Sequence, residues 1–277
     1  MTTLTQAAPL PPATRPAGFD GALRSEWTKL RTVRSTPWSL FAMAAISIGL
    51  MSLFAWLLVA RRWDRLEPGE RAALMHNPLE IILSRPEFFS QLVVAVLGVM
   101  VVSAEYTTGM IRSTLQSQPR RLTIFGAKVV VFAAVMLVVG EVIAFAAFFV
   151  GRQIIAKRLT VNLGDPGVTR AVIGLGLFLA VLGLFSLAFG AIVRHTAGAI
   201  TTVIGLNLII SNLTAALPDS WGQHVNAYMP VNAGVLILQP QQQPGDLLSP
   251  WQGFAVFGGW TVLLLVIAAV LFQRRDA

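Results

Sequence analysis

The hydrophobic residues of this chain fall into long blocks separated by short polar links. Residues 38–60, 88–104, 124–150, 171–193, 197–217 and 253–272 form six such runs. Each comes close to or exceeds the ~20 apolar residues a helix needs to cross a hydrocarbon core of about 30 Å. A helix in the core of a water-soluble domain would keep a polar face instead. The pattern predicts an all-α integral membrane protein, built as a six-transmembrane-helix bundle.

The segments ahead of the first run have a different pattern. Residues 1–18 are rich in Pro, Ala and Thr. Pro9, Pro11, Pro12 and Pro16 oppose a helix, so a disordered tail is expected rather than a secretory signal. In residues 19–36, Phe19, Leu23, Trp27 and Leu30 recur at i, i+4, i+8 and i+11, which puts them on one face of an amphipathic helix. With Arg24, Lys29 and Arg31 pointing elsewhere, this predicts an N-terminal interfacial helix with Trp27 at the headgroup level. A short soluble amphipathic stub is the plainer reading, but a span follows directly. Thr36-Pro37 marks the start of that span, with Thr as cap and Pro in the first turn. Residues 19–277 then make one transmembrane domain.

Composition narrows the function classes. The chain has 277 residues, is 55% hydrophobic and 12% charged, and has a mean hydropathy of +0.68; soluble domains carry about 25% charged residues. Six spans and their links use nearly the whole length, leaving no room for a soluble domain of about 100–200 residues. No Gly-x-x-x-x-Gly-Lys-Ser/Thr phosphate loop is present. Any ATP hydrolysis must come from another chain, and the chain is not expected to be an enzyme. The net charge of +8 fits basic residues at helix ends facing anionic lipid headgroups better than nucleic acid. Cysteine is absent, which excludes thiol nucleophiles and thiolate metal sites. His76, His195 and His224 are isolated in links without ligand spacing. They are expected at the surface, and no cofactor or metal is expected.

Lys/Arg bias orients the bundle. With the N-terminus inside, twelve basic residues fall on inner segments and nine on outer ones, and the last outer loop, 218–250, has none. The positive-inside rule then puts both termini in the cytoplasm. Within that outer loop, Val235-Leu236-Ile237-Leu238 is too short to span. It reads equally as a re-entrant piece or as a loop packed on the bundle.

Two spans carry small-residue stripes: Gly176, Ala180, Gly183, Ser186 and Gly190 in the fourth, and Gly198, Thr202, Gly205 and Asn212, with Asn207 nearby, in the fifth. These predict close helix packing, with a substrate-lining role as the other reading. Glu141 lies about 20 Å along the third span from Lys128. An acid at that depth is a functional candidate. It could bind a cationic group of a substrate, hydrogen-bond a neighbouring helix, or lie near the outer headgroups.

The link between the second and third spans, 105–123, is expected on the inner side. Glu105 ends the apolar run, Gly109 permits a sharp turn, and Met110, Ile111, Thr114 and Leu115 recur at helical spacing. Pro119 stops that short helix, and Arg120, Arg121 and Lys128 are expected to anchor the next one at the interface. The pattern Glu105-x-x-Thr108-Gly109, then Pro119-Arg120-Arg121 and Lys128, resembles the corresponding loop of ABC-2-type permease subunits of ATP-binding cassette transporters, actinobacterial members in particular. Glu26-Trp27-Thr28-Lys29-Leu30-Arg31 before the first span and Tyr228-Met229-Pro230-x-Asn232-Ala233-Gly234 before the last are similar to that family too. The resemblance covers about residues 22–275.

The resemblance implies a permease in a bacterial cell membrane, with a short cytoplasmic coupling helix seated in a separate ATPase (nucleotide-binding) subunit. It further implies a second permease subunit, as a homodimer with this chain, and export; the apolar spans with a single acid favour a small or amphipathic substrate over a bulky sugar polymer. By position, Glu105, Thr108, Gly109 and Arg112 would form the ATPase-coupling region. Two other classes compete. An ion-coupled secondary transporter often shows inverted repeats and broken spans; no clear internal repeat is visible. An intramembrane enzyme needs a constellation of catalytic groups within its spans, and the sequence offers none.

Overall fold

A computed structural model describes residues 18–32, 35–111, 120–214 and 219–274. Almost all of the predicted tail, 1–18, and most of the predicted coupling helix, including Arg112, lie outside the described residues. All regular structure in the described residues is helical. The α-helices of six residues or more are α1 (Phe19–Thr32), α2 (Ser35–Trp56), α3 (Pro68–His76), α4 (Arg85–Thr107), α5 (Arg121–Ile155), α6 (Val168–Val193), α7 (Thr196–Ile204), α8 (Asp219–Ala227), α9 (Pro230–Val235) and α10 (Pro250–Arg274). Six helical stretches are long and apolar enough to cross a membrane: Pro37–Arg65, Ser90–Thr107, Arg121–Ile155, Val168–Val193, Thr196–Thr214 and Pro250–Arg274.

The predicted spans match these in number and order, and the differences lie at their ends. The first continues beyond residue 60 through a π-helical turn, Leu57–Arg62, and a 3-10 turn, Trp63–Arg65. Arg61 and Arg62 therefore ride on the helix end, where the Arg61 guanidinium lies 5.6 Å from the Trp56 ring. The 64–87 link is partly folded. In α3, Pro68 occupies the first turn, and Glu67 and Glu70 form a reciprocal capping box that satisfies otherwise orphaned N–H groups.

α6 forms the centre. Of its apolar stretch 72% is buried, against 17% for α10, so α6 is wrapped by protein while α10 keeps one flank outside. The predicted small-residue stripe of the fourth span is the contact surface. A β-carbon added at Gly98 of α4 would come within 2.5 Å of the Gly183 carbonyl oxygen, and one at Gly140 of α5 within 2.8 Å of that of Gly176. Phe257 of α10 completes the core, 5.6 Å from both Phe178 and Phe185. The outward residues are themselves apolar: Phe41, Leu53, Val142, Ile209, Leu213, Val262 and Val266 are all exposed. That surface suits lipid rather than water.

The fifth-span stripe requires a correction. Thr202 and Asn212 are exposed, Gly198 and Gly205 are half-buried, and a β-carbon at Gly205 would meet open space. The face turned into the bundle is the next one round, Ala199, Val203, Asn207 and Ser211. Ala199 and Val203 pack with Ala95 and Val99 of α4. Branched and small apolar residues at i, i+4 spacing make this contact, and residue size alone selected the wrong face. The span is also interrupted by a π-helical turn, Gly205–Ile210.

In the 218–250 segment, Ile237 and Leu238 are buried, and the α9 turn packs between α6 and α10. The loop-on-bundle reading and the re-entrant reading share this packing. Asn226 and Asn232 donate side-chain N–H groups to the Ser211 carbonyl at 3.1 and 3.3 Å, which caps the end of the fifth span. Arg170 donates to the Gln239 and Pro240 carbonyls, both at 2.8 Å.

Candidate functional site

The densest polar chemistry in the described residues sits at the end of the bundle where α1 docks, α4 ends and α5 begins. Four charged side chains converge there. The Lys128 ammonium donates to Glu26 Oε2 at 2.7 Å and to Glu105 Oε1 at 2.8 Å. Lys29 donates to Glu26 Oε1 at 2.7 Å and to Glu105 Oε1 at 3.3 Å. Glu26, Glu105 and Lys128 are 4%, 8% and 6% exposed, so this network lies inside the protein. Two acids and two bases cancel in charge, which makes their burial tolerable.

The local sequence explains the geometry. Glu26 and Lys29 stand at i, i+3 on α1 and so share a face. Glu105 occupies the last turn of α4, and Lys128 the second turn of α5. The remaining side of α4 is held as well. Arg194, at the end of α6, lies 4.8 Å from the Tyr106 ring centroid, and Thr196 donates to Ser103 Oγ at 2.9 Å. Residues 103–106 are thus tied to α1, α5, α6 and α7 immediately before the link.

One sequence expectation changes here, that for Lys128. The α1 face turned to the bundle is Ala22 and Glu26, with Lys29 half-buried; Phe19 and Trp27 are exposed. The apolar stripe is divided, with Leu23 and Leu30 half-buried against the bundle and Phe19 and Trp27 exposed, and the ion pairs hold the inner face. Lys128 is not an interfacial anchor but a buried partner of two carboxylates. Glu26 carries the site without having been singled out for it. The signals were its spacing to Lys29 and a lysine placed inside an apolar run.

The proposed coupling residues separate by environment. Glu105 is buried in the network. Thr108 is exposed and donates to the Ala104 carbonyl at 2.7 Å. Gly109 has φ +70° with nothing within 4 Å of an added β-carbon; only the backbone conformation demands glycine here. Arg112 lies outside the described residues. Arg121, at the start of α5, donates to the Gln273 carbonyl at 3.4 Å, so the ends of the third and sixth spans meet at this same end of the bundle.

Glu141 lies midway along α5, far from this cluster. Its carboxyl group packs over Gly176 of α6, where an added β-carbon would come within 2.6 Å of Oε1. Its buried Oε2 has no hydrogen-bond partner among the described residues. The three histidines are exposed, as expected, and His195 Nδ1 caps α7 by accepting from the Gly198 N–H at 3.1 Å. Among the described residues no group of acidic or histidine side chains could hold a metal ion. Comparison of the sequence with family models and with curated proteins returns no match.

The network has a defined pH window. Burial opposes ionisation of Glu26, but Lys128 and then Lys29 outweigh it and hold the carboxyl below its ordinary 4.5. Burial likewise opposes the charge on Lys29, but Glu26 and Glu105 hold its ammonium above the ordinary 10.5. A lowered acid stabilises the fold above its unfolded value and loses that contribution as pH falls through its folded one; a raised base does so below its unfolded value and loses it as pH rises. Docking of α1 should thus be constant between about pH 5 and 10 and weaken below about pH 4. Spin labels at Arg24→Cys and Leu122→Cys, the only two cysteines in such a variant, should report one narrow distance at pH 7 that broadens below pH 4 and recovers on return. An unchanged distribution at acid pH would count against the ion pairs as what seats α1.

Proposed function

We propose that the chain is the membrane-spanning permease subunit of an ABC-2-type transporter in a bacterial cell membrane, with both termini cytoplasmic. ATP is hydrolysed by a separate subunit, a second copy of this chain completes the translocation unit, and the direction is export. The observation that carries this reading is the tied end of α4. Glu105, Tyr106 and Ser103 connect to α1, α5, α6 and α7 directly before the Gly109 turn. A push on the 109–120 link therefore enters four helices at once, as a rigid-body switch requires. The six-span count, the helix ahead of the first span and the sequence resemblance around Glu105 and Gly109 support the same reading. Thr108 and Gly109 belong to the surface offered to the ATPase, while Glu105 acts behind it by fixing the helix that the link moves.

The test is co-purification with the ATPase encoded beside the chain, comparing wild type with Gly109→Pro. Proline fixes φ near −65°, whereas Gly109 has φ +70° and its N–H donates to the Tyr106 carbonyl at 3.3 Å. The variant should keep its fold and lose at least tenfold of the permease-dependent ATPase stimulation. If no ATPase associates with folded wild-type chain, the permease reading fails and ion-driven transport takes its place.

A further inference from the structure

A second concentration of charge lies at the end of the bundle away from α1. The first span ends in Arg61, Arg62 and Arg65. The last turn of α5 carries Arg152, with Lys157 and Arg158 just beyond it. Packing brings the two groups to one rim. A β-carbon added at Gly151 of α5 would stand 3.1 Å from Met51 Sδ of α2, and the Arg158 guanidinium reaches the Asp64 carboxylate at 3.4 Å. All six bases are exposed. Residues 61–71 and 152–158 together hold seven bases and three acids, and two of those acids, Glu67 and Glu70, form the capping box of α3. Among the described residues Arg158 alone of the six bases has a carboxylate within ion-pair reach. That pair is 45% and 79% accessible at its two side chains, so it uses up little of the charge.

The surface below the rim suggests the partner. On the first span Leu53 and Leu57 are exposed, and Arg61 follows them at the same four-residue spacing. On α5, Val138, Val142 and Phe149 are exposed, and Arg152 continues their face at i, i+4, i+11 and i+14. Each stripe is apolar, turned outward and ended by an arginine, which is the order of a phospholipid from chains to phosphate. Trp56, 5.6 Å from the Arg61 guanidinium, stands at the level that indole rings favour. Helix anchoring does not account for this accumulation. With the N-terminus inside, six of the nine outer bases lie on the rim, against the positive-inside rule. Five of the six are arginines, whose planar fork suits phosphate.

We propose that the rim of Arg61, Arg62, Arg65, Arg152, Lys157 and Arg158 is a docking surface for the phosphate headgroups of acidic membrane phospholipids, whose chains lie along the exposed stripes below. It rests on the membrane reading of the six spans and not on an ATPase partner. Orientation decides only which leaflet supplies the lipid.

The experiment uses full-length chain in phosphatidylcholine nanodiscs. A fluorescent label is placed at Val150→Cys, the only cysteine in such a variant, on the exposed surface just below Arg152. Quenching by chain-brominated phosphatidylglycerol is compared with quenching by chain-brominated phosphatidylcholine, which gives their relative association at this face. Phosphatidylglycerol should be preferred about fivefold or more at about 0.1 M salt, and the preference should vanish near 1 M. The triple change Arg61→Gln, Arg62→Gln, Arg65→Gln should bring the ratio close to one. So should Arg152→Gln, Lys157→Gln, Arg158→Gln; two separate segments guard against a folding defect in either, and the melting temperature of each is checked. Arg24→Gln, Arg31→Gln, Arg274→Gln removes the same charge elsewhere and should keep the ratio. Sodium phosphate should lower the ratio no more than chloride of equal ionic strength. Quenching by brominated phosphatidylcholine in every variant shows that the labelled face meets lipid, which separates failure of the headgroup site from failure of the membrane reading. Equal quenching by the two lipids at low salt, a full preference in either folded triple variant, or specific displacement by inorganic phosphate overturns the proposal.

Discussion

Lys128→Met should destabilise the folded chain by about 3–5 kcal/mol and unseat α1. Lys128 is the shared partner of two buried carboxylates, at 2.7 Å from Glu26 and 2.8 Å from Glu105. Removing its charge leaves both acids buried with Lys29 alone, at 2.7 and 3.3 Å. Lys29 is the more solvent-exposed of the two bases, with 26% of its side chain accessible against 7% for Lys128, so it compensates less. Most of the cost is the desolvation of a carboxylate that has lost its partner, not the worth of the original pair. That distinction can be measured. A Glu26→Leu, Lys128→Leu double variant keeps Glu105 with Lys29 and replaces the other pair by apolar packing. It should be more stable than Lys128→Met, and also more stable than the sum of its two single changes allows. Reversible unfolding in mixed micelles gives the comparison. Simple additivity would mean that the charges act separately and that the network is only a geometric coincidence.

This network marks the limit of what the sequence exposes. The spans are legible because the requirement for ~20 apolar residues is one-dimensional. The fourth-span stripe is legible because glycine at three- and four-residue spacing has few other uses inside a membrane. The fifth-span stripe misleads because small residues also occur on a half-buried to exposed face; only the register of Ala199 and Val203 against α4 separates the two faces. The α1 helix is legible as amphipathic, yet its inner face is held by charge, and its apolar stripe is divided between half-buried Leu23 and Leu30 and exposed Phe19 and Trp27. Glu26, Glu105 and Lys128 stand 79 and 23 residues apart in sequence, and no local pattern joins them. Each looks alone like an ordinary helix-end charge. Their convergence follows from the packing of α1 and α4 on α5.

Gly98→Ala should also destabilise the chain, from a single added methyl group. A β-carbon at Gly98 would stand 2.5 Å from the Gly183 carbonyl oxygen and 2.8 Å from Ser186 Cβ. The first of these neighbours is main chain inside a helix and cannot rotate aside, so α4 and α6 must separate. Overpacking of this kind costs about 1–3 kcal/mol, and a larger side chain at the same position more. In lipid the loss is felt fully, because close van der Waals contact rather than the hydrophobic effect holds helices together there. Ser186→Gly in the same background should recover only part of the loss, since the carbonyl remains. Gly259→Ala is the control: nothing lies within 4 Å of its added β-carbon, and the better helix propensity of alanine should leave stability equal or slightly higher. The damage at Gly98 should also reach the site. Glu105 follows seven residues later, about two turns along the same helix, so a displaced α4 pulls its carboxylate away from Lys128. Gly98→Ala should therefore broaden the α1–α5 spin-label distance at pH 7, much as acid does in wild type, whereas Gly259→Ala should not. A Gly98→Ala chain that loses stability but keeps a narrow distance would show that α1 is seated independently of the α4–α6 crossing.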